Sequence, residues 1–410
     1  MSEGLMSRRP SSPPPAAALL PDNDDILREI LLRLPPLPSS LPRASLVCKH
    51  WRRLLSDPRF LRRFRAFHRR NPPLLGIFNT AFYGLLQFTP TLDPPDRIPS
   101  ARLSLQVGHG DEIWDFLGCR HGLALILNQT RLELTVWDPL AGDQRRVPVP
   151  PGWFRNEGAV YNAALICNNH LAGGVPLEAF KVVLLRGLLD ADHPQLFASI
   201  YESETGVWGD AISIAIGVPV TLVNPSVLTK DSLCWLVQEY DTGSDGNHIL
   251  EFDLDRQALA VFGAPVGTEE SCLELVRMED NKLGLAALLD DVTIQLWERK
   301  AGSDGVARWM LQKSIKLDKL LSVGSPIVGT LIHGYDENGH VIFISTSLDV
   351  FMIQLKTMQF RHLFKAMFIT SYHPYTGFYT TGNISQYLSE VSFSFSVYVF
   401  CNIFHALIKH

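Results

Sequence analysis

Apolar residues recur at three- and four-residue intervals near the start of the chain and in short alternating runs from Leu74 onward, so a helical region is followed by a β region. Ile26, Leu27, Ile30, Leu31 and Leu34 share one helical face. Asp22, Asn23 or Asp24 can cap that helix, and Pro35 with Pro36 stops it. A second helix is expected from a Ser39/Ser40 cap with Pro42 in its first turn; its apolar stripe is Leu41, Ala44, Val47, Cys48, Trp51 and Leu54 with Leu55. Asp57 and Pro58 end it and open another, in which Phe60, Phe64 and Phe67 recur at helical spacing.

Beyond Asn71, Pro72 and Pro73 the pattern changes to paired β-like runs: 122–127 with 132–137, 180–185 with 196–201, 233–237 with 248–254, 283–288 with 293–297, and 340–345 with 350–355. Each pair reads as a hairpin, and several are followed by an acidic or polar turn and a further short strand. Equivalent positions at 137, 201, 252, 297 and 353 are 64, 51, 45 and 56 residues apart, an irregular repeat near the length of a four-stranded propeller blade. Residues 74–107 can supply a sixth unit. The expected fold class is therefore α+β in separate domains, a small N-terminal helical module followed by an all-β propeller-like domain of about six blades; a pair of β-sandwiches is the alternative. Gly243 to Gly246, Gly302 to Gly305, Asp336 to Gly339 and the Asp290-Asp291 pair all read as turn chemistry.

Composition sharpens the division. With 46% hydrophobic and 19% charged residues the chain is a folded one, yet residues 1–19 are rich in Pro, Ser and Ala and read as a disordered tail. The expected domains are 1–19 as tail, 20–70 as helical module, 74–380 as β domain and 381–410 as an apolar C-terminal segment. That last segment is interrupted by Ser392, Ser394 and Ser396 and is read as an additional tail in preference to a membrane span. Residues 43–70 carry ten Lys/Arg against Asp57 alone, a local charge of +9 within a net charge of −5. Because phenylalanines interleave with these cations, the segment reads as an amphipathic helix with a solvated basic face. Six scattered cysteines, with no CxxC, fit a reducing compartment.

No constellation for catalysis is legible: the sequence has no nucleophile elbow, P-loop, dinucleotide fingerprint or zinc-protease motif. Cys119 and His121 have no second ligand pair at zinc spacing. The expectation is a non-enzymatic chain with no cofactor and no metal.

A helical unit of about forty residues is at the lower limit of what can bury a core alone and expects a partner. It contains, in order, Leu20-Pro21, the run from Ile26 to Pro35 with Glu29 and Arg33, Arg43, and Val47 to Arg52. Through these residues its sequence resembles the F-box, the module that docks onto a Skp-type adaptor in cullin-based ubiquitin ligases. The resemblance implies an adaptor-binding surface from Leu20, Pro21, Ile26, Leu27, Ile30, Leu31, Leu34 and Pro35 of the first half. Leu41, Val47, Cys48, Trp51 and Leu54 complete it from the second. The β region is similar to the F-box-associated, kelch-like propellers of plant F-box proteins, through Gly118 to Leu123, through Trp137-Asp138-Pro139 with Gly142, Arg145, Arg146 and Pro148, and through Tyr372 to Tyr379. Kelch-type double glycines do not repeat, since Gly173-Gly174 occurs once.

Together these resemblances imply a substrate receptor of a Skp-cullin-F-box ligase, cytoplasmic or nuclear. Its partners would be the adaptor, a cullin through it, and a protein substrate, with neither nucleic acid nor membrane expected. Two alternatives stand beside it: a propeller enzyme or small-molecule binder with a helical prefix, and a nucleic-acid-binding protein using the basic helix 59–70.

Overall fold

Four short helices open the described chain: α1 (Asp24–Leu32), α2 (Ser40–Ser45), α3 (Lys49–Leu55) and α4 (Pro58–His68). The structure is a computed structural model. It describes residues 24–378 except 70, 81–85, 106–111, 154–158, 168–176, 178, 189–193, 218–219, 223–224, 240–246, 269–270, 322–327 and 366–370. Leu20, Pro21, both expected tails and the Gly243 to Gly246 turn lie outside the described residues.

The single helix expected from residue 40 to 55 is broken in two. Ser45 Oγ donates to the Pro42 carbonyl at 2.6 Å, a local bond that competes with helix continuation. Cys48 then turns extended (φ −161°, ψ 169°) and its Sγ accepts the Trp51 N–H at 3.5 Å, capping α3. The break sends Leu41 and Ala44 from one side, and Leu54 and Leu55 from the other, into a common core with Leu31, Leu32, Phe60, Leu61 and Phe64. Asp57 caps α4 as the sequence implies, its Oδ1 accepting the Arg59 N–H at 2.9 Å. Phe67, by contrast, is exposed, because α4 runs past the end of this small core.

The remainder is a six-bladed propeller. Blade 1 is built from both ends of the domain: Tyr372–Thr376 is its inner strand, followed outward by Leu74–Thr80 and Leu86–Pro90. Blade 2 runs outward through Trp114–Arg120, Leu123–Asn128, Glu133–Trp137 and Gln144–Pro148; blades 3 to 6 repeat the plan in chain order. All five expected hairpins are the second and third strands of blades 2 to 6. Their inner partners in blades 3 to 6, Ala159–Cys167, Val220–Leu222 with Val227–Leu228, Cys272–Arg277 and Leu331–Asp336, complete a ring in which each inner strand adjoins the next.

Closure explains why so many strands coexist: a ring leaves no long sheet edge among its inner strands. Between blades the apolar faces interdigitate, and tryptophans of outer strands tie neighbours together. Trp208 Nε1 donates to the Pro148 carbonyl at 2.8 Å, and Trp309 Nε1 to the Gly263 carbonyl at 2.9 Å. The blade turns use acidic side chains as backbone acceptors: Asp138 Oδ1 takes the N–H groups of Leu140 and Ala141 at 2.9 and 3.0 Å, and Gly142 follows at φ +84°.

Blades 6 and 1 meet so closely at Gly334 that a Cβ there would lie 2.2 Å from the Tyr372 carbonyl oxygen. Gly334→Ala is therefore expected to push the closing strand outward and to lower unfolding free energy by about 3 kcal/mol. Urea denaturation of the wild-type and variant chains measures this, and an unchanged midpoint contradicts the close approach.

Candidate functional site: the helical face and the propeller hub

The adaptor residues implied by the sequence separate into two groups. Ile26 (47% exposed), Ile30 (52%) and Val47 (61%) stand open to solvent, as do Pro35 and Cys48. Leu31, Leu41 and Leu54 are buried in the module's own core, and Leu27, Leu34 and Trp51 pack against it. Leu31, Leu41 and Leu54 thus lie beneath the exposed residues and support them. Sequence reasoning missed Leu37 and Leu46, which are exposed; Leu46 was passed over because a continuous helix would have placed it off the stripe. His50 Nε2 lies 2.8 Å from Asp24 Oδ1, so the start of α1, with Ile26, is drawn beside the start of α3, with Val47 and Cys48.

The basic face of α4 is only partly solvated. Arg63 pairs with Glu29 of α1, and Arg65 turns inward toward the propeller, where burial lowers its pKa and the charge of Asp138 partly restores it. Burial likewise raises the Asp138 carboxyl, despite its backbone hydrogen bonds and Arg65. Two further contacts seat the module. The Ser39 N–H donates to Asp96 Oδ1 at 2.8 Å, and the Gly377 N–H to the Pro73 carbonyl at 3.2 Å. Asp96, Asp138 and Gly377 all belong to turns at one end of the propeller, the end of the first-to-second and third-to-fourth strand connections.

At that same end lies a buried ion pair. Arg120 closes the inner strand of blade 2, and its Nη2 and Nε meet Glu337 Oε1 and Oε2 at 2.6 and 3.3 Å, with side chains 10% and 15% exposed. Around this pair every blade is engaged. Arg120 Nη1 donates to the Leu165 carbonyl of blade 3 at 3.1 Å and Nη2 to the Ser226 carbonyl of blade 4 at 2.8 Å. Glu337 Oε1 accepts the Leu228 N–H of blade 4 at 2.8 Å, its carbonyl accepts Arg277 of blade 5, and the adjacent Asn338 Nδ2 donates to Thr376 Oγ1 of blade 1 at 2.9 Å.

Burial alone would raise the Glu337 carboxyl. The Arg120 charge, its hydrogen bonds and the Leu228 N–H more than offset that, so the pKa falls below the ordinary glutamate range. Beside it Asp336 goes the other way, to about 6, because burial outweighs the N–H groups of Gly339 and Asn338. Among the described residues no three His, Cys, Asp or Glu side chains converge as metal ligands.

Asp336 to Gly339 was read as a turn and no more. Asp336 indeed accepts the N–H groups of Asn338 and Gly339 at 3.2 and 2.7 Å, but Glu337 within it is half of the hub, 217 positions from its partner. The Asp290-Asp291 pair is the turn expected of it, with both residues left-handed at φ 50° and 58°.

Residues 115–378 match the family described as F-box protein AT5G49610-like, beta-propeller, and residues 21–63 match the F-box domain. The chain belongs to the F-box proteins with an AT5G49610-like propeller. An F-box/kelch-repeat protein of Arabidopsis thaliana, At1g15680, is 24% identical over 321 residues, 72% of each chain. Solved structures are more distant: an oligogalacturonate lyase in complex with manganese (10% identity, 70% and 73% of the chains, TM-score 0.41) and the SapL1 lectin in complex with alpha methyl fucoside (7%, 73% and 98%, TM-score 0.40). In this F-box protein the Gly118 to Leu123 motif that carried the family resemblance is the stretch that delivers Arg120 to the hub.

Arg120→Met leaves the Glu337 carboxylate buried without its cation and is expected to lower stability by about 3–5 kcal/mol, whereas adding Glu337→Leu should recover much of the loss. The sign of the pH effect follows from the lowered carboxyl. The pair stabilises above the unfolded-state value of about 4.3 and loses that contribution as pH falls through the lower folded-state value. Urea titrations of the single and double variants at pH 7 and in acid measure both effects; equal stability of Arg120→Met and wild type refutes the hub.

Proposed function

We propose that this F-box protein is the substrate-recognition subunit of a Skp-cullin-F-box ubiquitin ligase. The observation that carries the reading is the F-box match at residues 21–63, whose helices fill their own core and still leave Ile26, Ile30, Leu46 and Val47 exposed. An adaptor would cover those residues, and with them Leu20 and Pro21; a cullin would join through the adaptor. The chain itself performs no bond chemistry in this role. It contributes proximity, raising the effective concentration of a substrate lysine near the ubiquitin-loaded enzyme.

The module is seated at one end of the propeller, so substrate is presented at the other, where second-to-third strand turns and blade-to-blade connections emerge. Six exposed apolar residues support this placement: Ile113, Leu132, Val266, Val328, Leu331 and Leu348 all belong to that end. A nucleic-acid role for α4 has less support, because Arg63 and Arg65 are engaged within the molecule. The cytosol and the nucleus are the compartments where such a ligase would work; no helix among the described residues is long and apolar enough to cross a membrane.

Val47→Asp and Ile30→Asp are each expected to weaken capture by a Skp-type adaptor by about 2 kcal/mol or more, some 30-fold in affinity, without changing the melting of the propeller. Leu54→Ala instead empties a buried site and should destabilise the module by about 2–5 kcal/mol. Pull-down and calorimetry with purified adaptor measure these effects. A wild-type chain that ignores every adaptor offered, or a Val47→Asp variant that binds as wild type does, overturns the assignment.

A further inference from the structure

The inner strands enclose a channel, and within it lies a partly enclosed cavity of about 40 Å³, room for roughly three water molecules. Arg120, Glu274, Asp336, Glu337, Asn338 and His373 contribute to its wall. Most of these polar groups are already engaged in the hub, but two are not. Glu274, in the inner strand of blade 5, is 3% exposed and has neither a hydrogen bond nor an ion pair among the described residues. The Nδ1 of His373, in the inner strand of blade 1, is also buried without a partner, while Nε2 lies 3.2 Å from Ser371 Oγ. A buried carboxyl group facing an open cavity with no partner is costly to keep unless something fills the space beside it.

We propose that this cavity is a binding site for a primary ammonium group, held by the Glu274 carboxylate and by His373 Nδ1. Charge favours a cation there. With Glu274 ionised, the carboxylates of Glu274, Asp336 and Glu337 line the cavity with Arg120 as the one cation among them, and even counting Arg277, which reaches the Glu337 carbonyl from outside the wall, one negative charge is left in excess. Geometry favours an organic cation over a metal ion, since no three acidic, His or Cys side chains converge at metal-ligand spacing among the described residues. An ammonium brings three donors toward the two unengaged groups of the wall, the Glu274 carboxylate and His373 Nδ1, which accept when Glu274 is ionised. The inference is independent of whether the chain binds an adaptor.

Occupancy is linked to pH. Burial pushes the Glu274 carboxyl up to about 8, so in the empty site it is protonated at neutral pH and an arriving cation must displace that proton. The other groups facing the site do not change charge between pH 7 and 8. Asp336 has an ionisation near 6 and His373 one near 4; Glu337 lies lower than an ordinary glutamate, and burial raises Cys119, Cys272 and Tyr335. Affinity therefore rises with pH up to about 8, by about tenfold per unit where Glu274 is fully protonated, and then levels until the ligand amine itself deprotonates near 10.

The test is calorimetric titration of the full chain with n-propylammonium chloride and with Nα-acetyl-lysine methylamide, at pH 7 and pH 8 in two buffers of different ionisation heat. Binding that tightens by at least threefold between these pH values, with close to one proton released per site at pH 7, is the expected result. Glu274→Gln, which has the shape of the protonated acid, should melt as wild type does, bind at least tenfold more weakly and release no proton. Tighter binding of the lysine amide identifies a polypeptide as the source of the ammonium, and tighter binding of propylammonium a free amine; either supports the site. Absence of binding by both probes, affinity that ignores pH in the wild type, or undiminished binding by Glu274→Gln overturns it. The proton release measured on the wild-type chain keeps the test decisive if the variant fails to fold.

Discussion

A propeller must bring six inner strands to one axis, and here that constraint is met by a single buried ion pair. Arg120 and Glu337 come from blades 2 and 6, and their free hydrogen-bonding capacity is spread over the main chains of blades 3 and 4; Arg277 and Asn338 extend the set to blades 5 and 1. Burying two charges is unfavourable unless the remaining donors and acceptors are satisfied, and the carbonyls and N–H groups at the ends of inner strands do this. The arrangement works only when all six blades are in place. The hub thus links the register of one inner strand to that of every other, which apolar packing between adjacent blades cannot do alone.

The same end of the propeller carries the helical module. Asp96 accepts the Ser39 N–H, Asp138 faces Arg65, and Gly377 bonds to Pro73 where the chain leaves α4 for blade 1. Asp138 serves two purposes at once, since it also organises its own turn through Leu140 and Ala141. A turn that is structurally obligatory for blade 2 is in this way also a seat for α4. The position of the helices relative to the blades is therefore fixed by groups that the propeller needs anyway, and the exposed residues of α1 and of the α2–α3 junction are carried in a defined orientation.

The sequence disclosed those parts of the fold whose burial has a short period. Leu123–Asn128 is buried at all six positions, and its equivalents in the other blades are nearly so; such runs with their partners were legible as hairpins. Inner strands were mostly not, because they pack on one side and face a polar channel on the other. Trp114–Arg120 carries Asp115 and Gly118, bulges against its neighbour, and ends in a charge. The hub was legible only by half. Arg120 stood in a motif that carried the family resemblance, while Glu337 stood in a stretch with ideal turn chemistry, and no local pattern relates residues so far apart. In the helical module, periodicity found the core and the exposed face together but could not separate them, since Ile30 and Leu31 obey the same spacing until α4 covers one and leaves the other. The break at Leu46 to Cys48 depended on a serine hydroxyl and a thiol acting as local hydrogen-bond partners, a choice that apolar spacing does not encode.

These constraints divide the propeller into unequal ends. At the end that holds the hub, turn residues are committed: Asp138, Asp253 and Asp336 to their backbones, Glu337 and Asn338 to other blades, Asp96 to α2. At the opposite end side-chain ties such as the Arg131–Glu112 pair and Asp291 Oδ2 accepting the Gly329 N–H stand beside main-chain ones between adjacent connections, Ser347 to Val328 and Leu317 to Val292, while side chains such as Val328 and Leu348 are exposed. Main-chain bonds tolerate changes of side chain that an ion pair or a buried cap does not. Where main-chain bonds alone join those connections, an exposed side chain such as Val328 or Leu348 can change without loosening the ring, which the hub residues at the other end cannot.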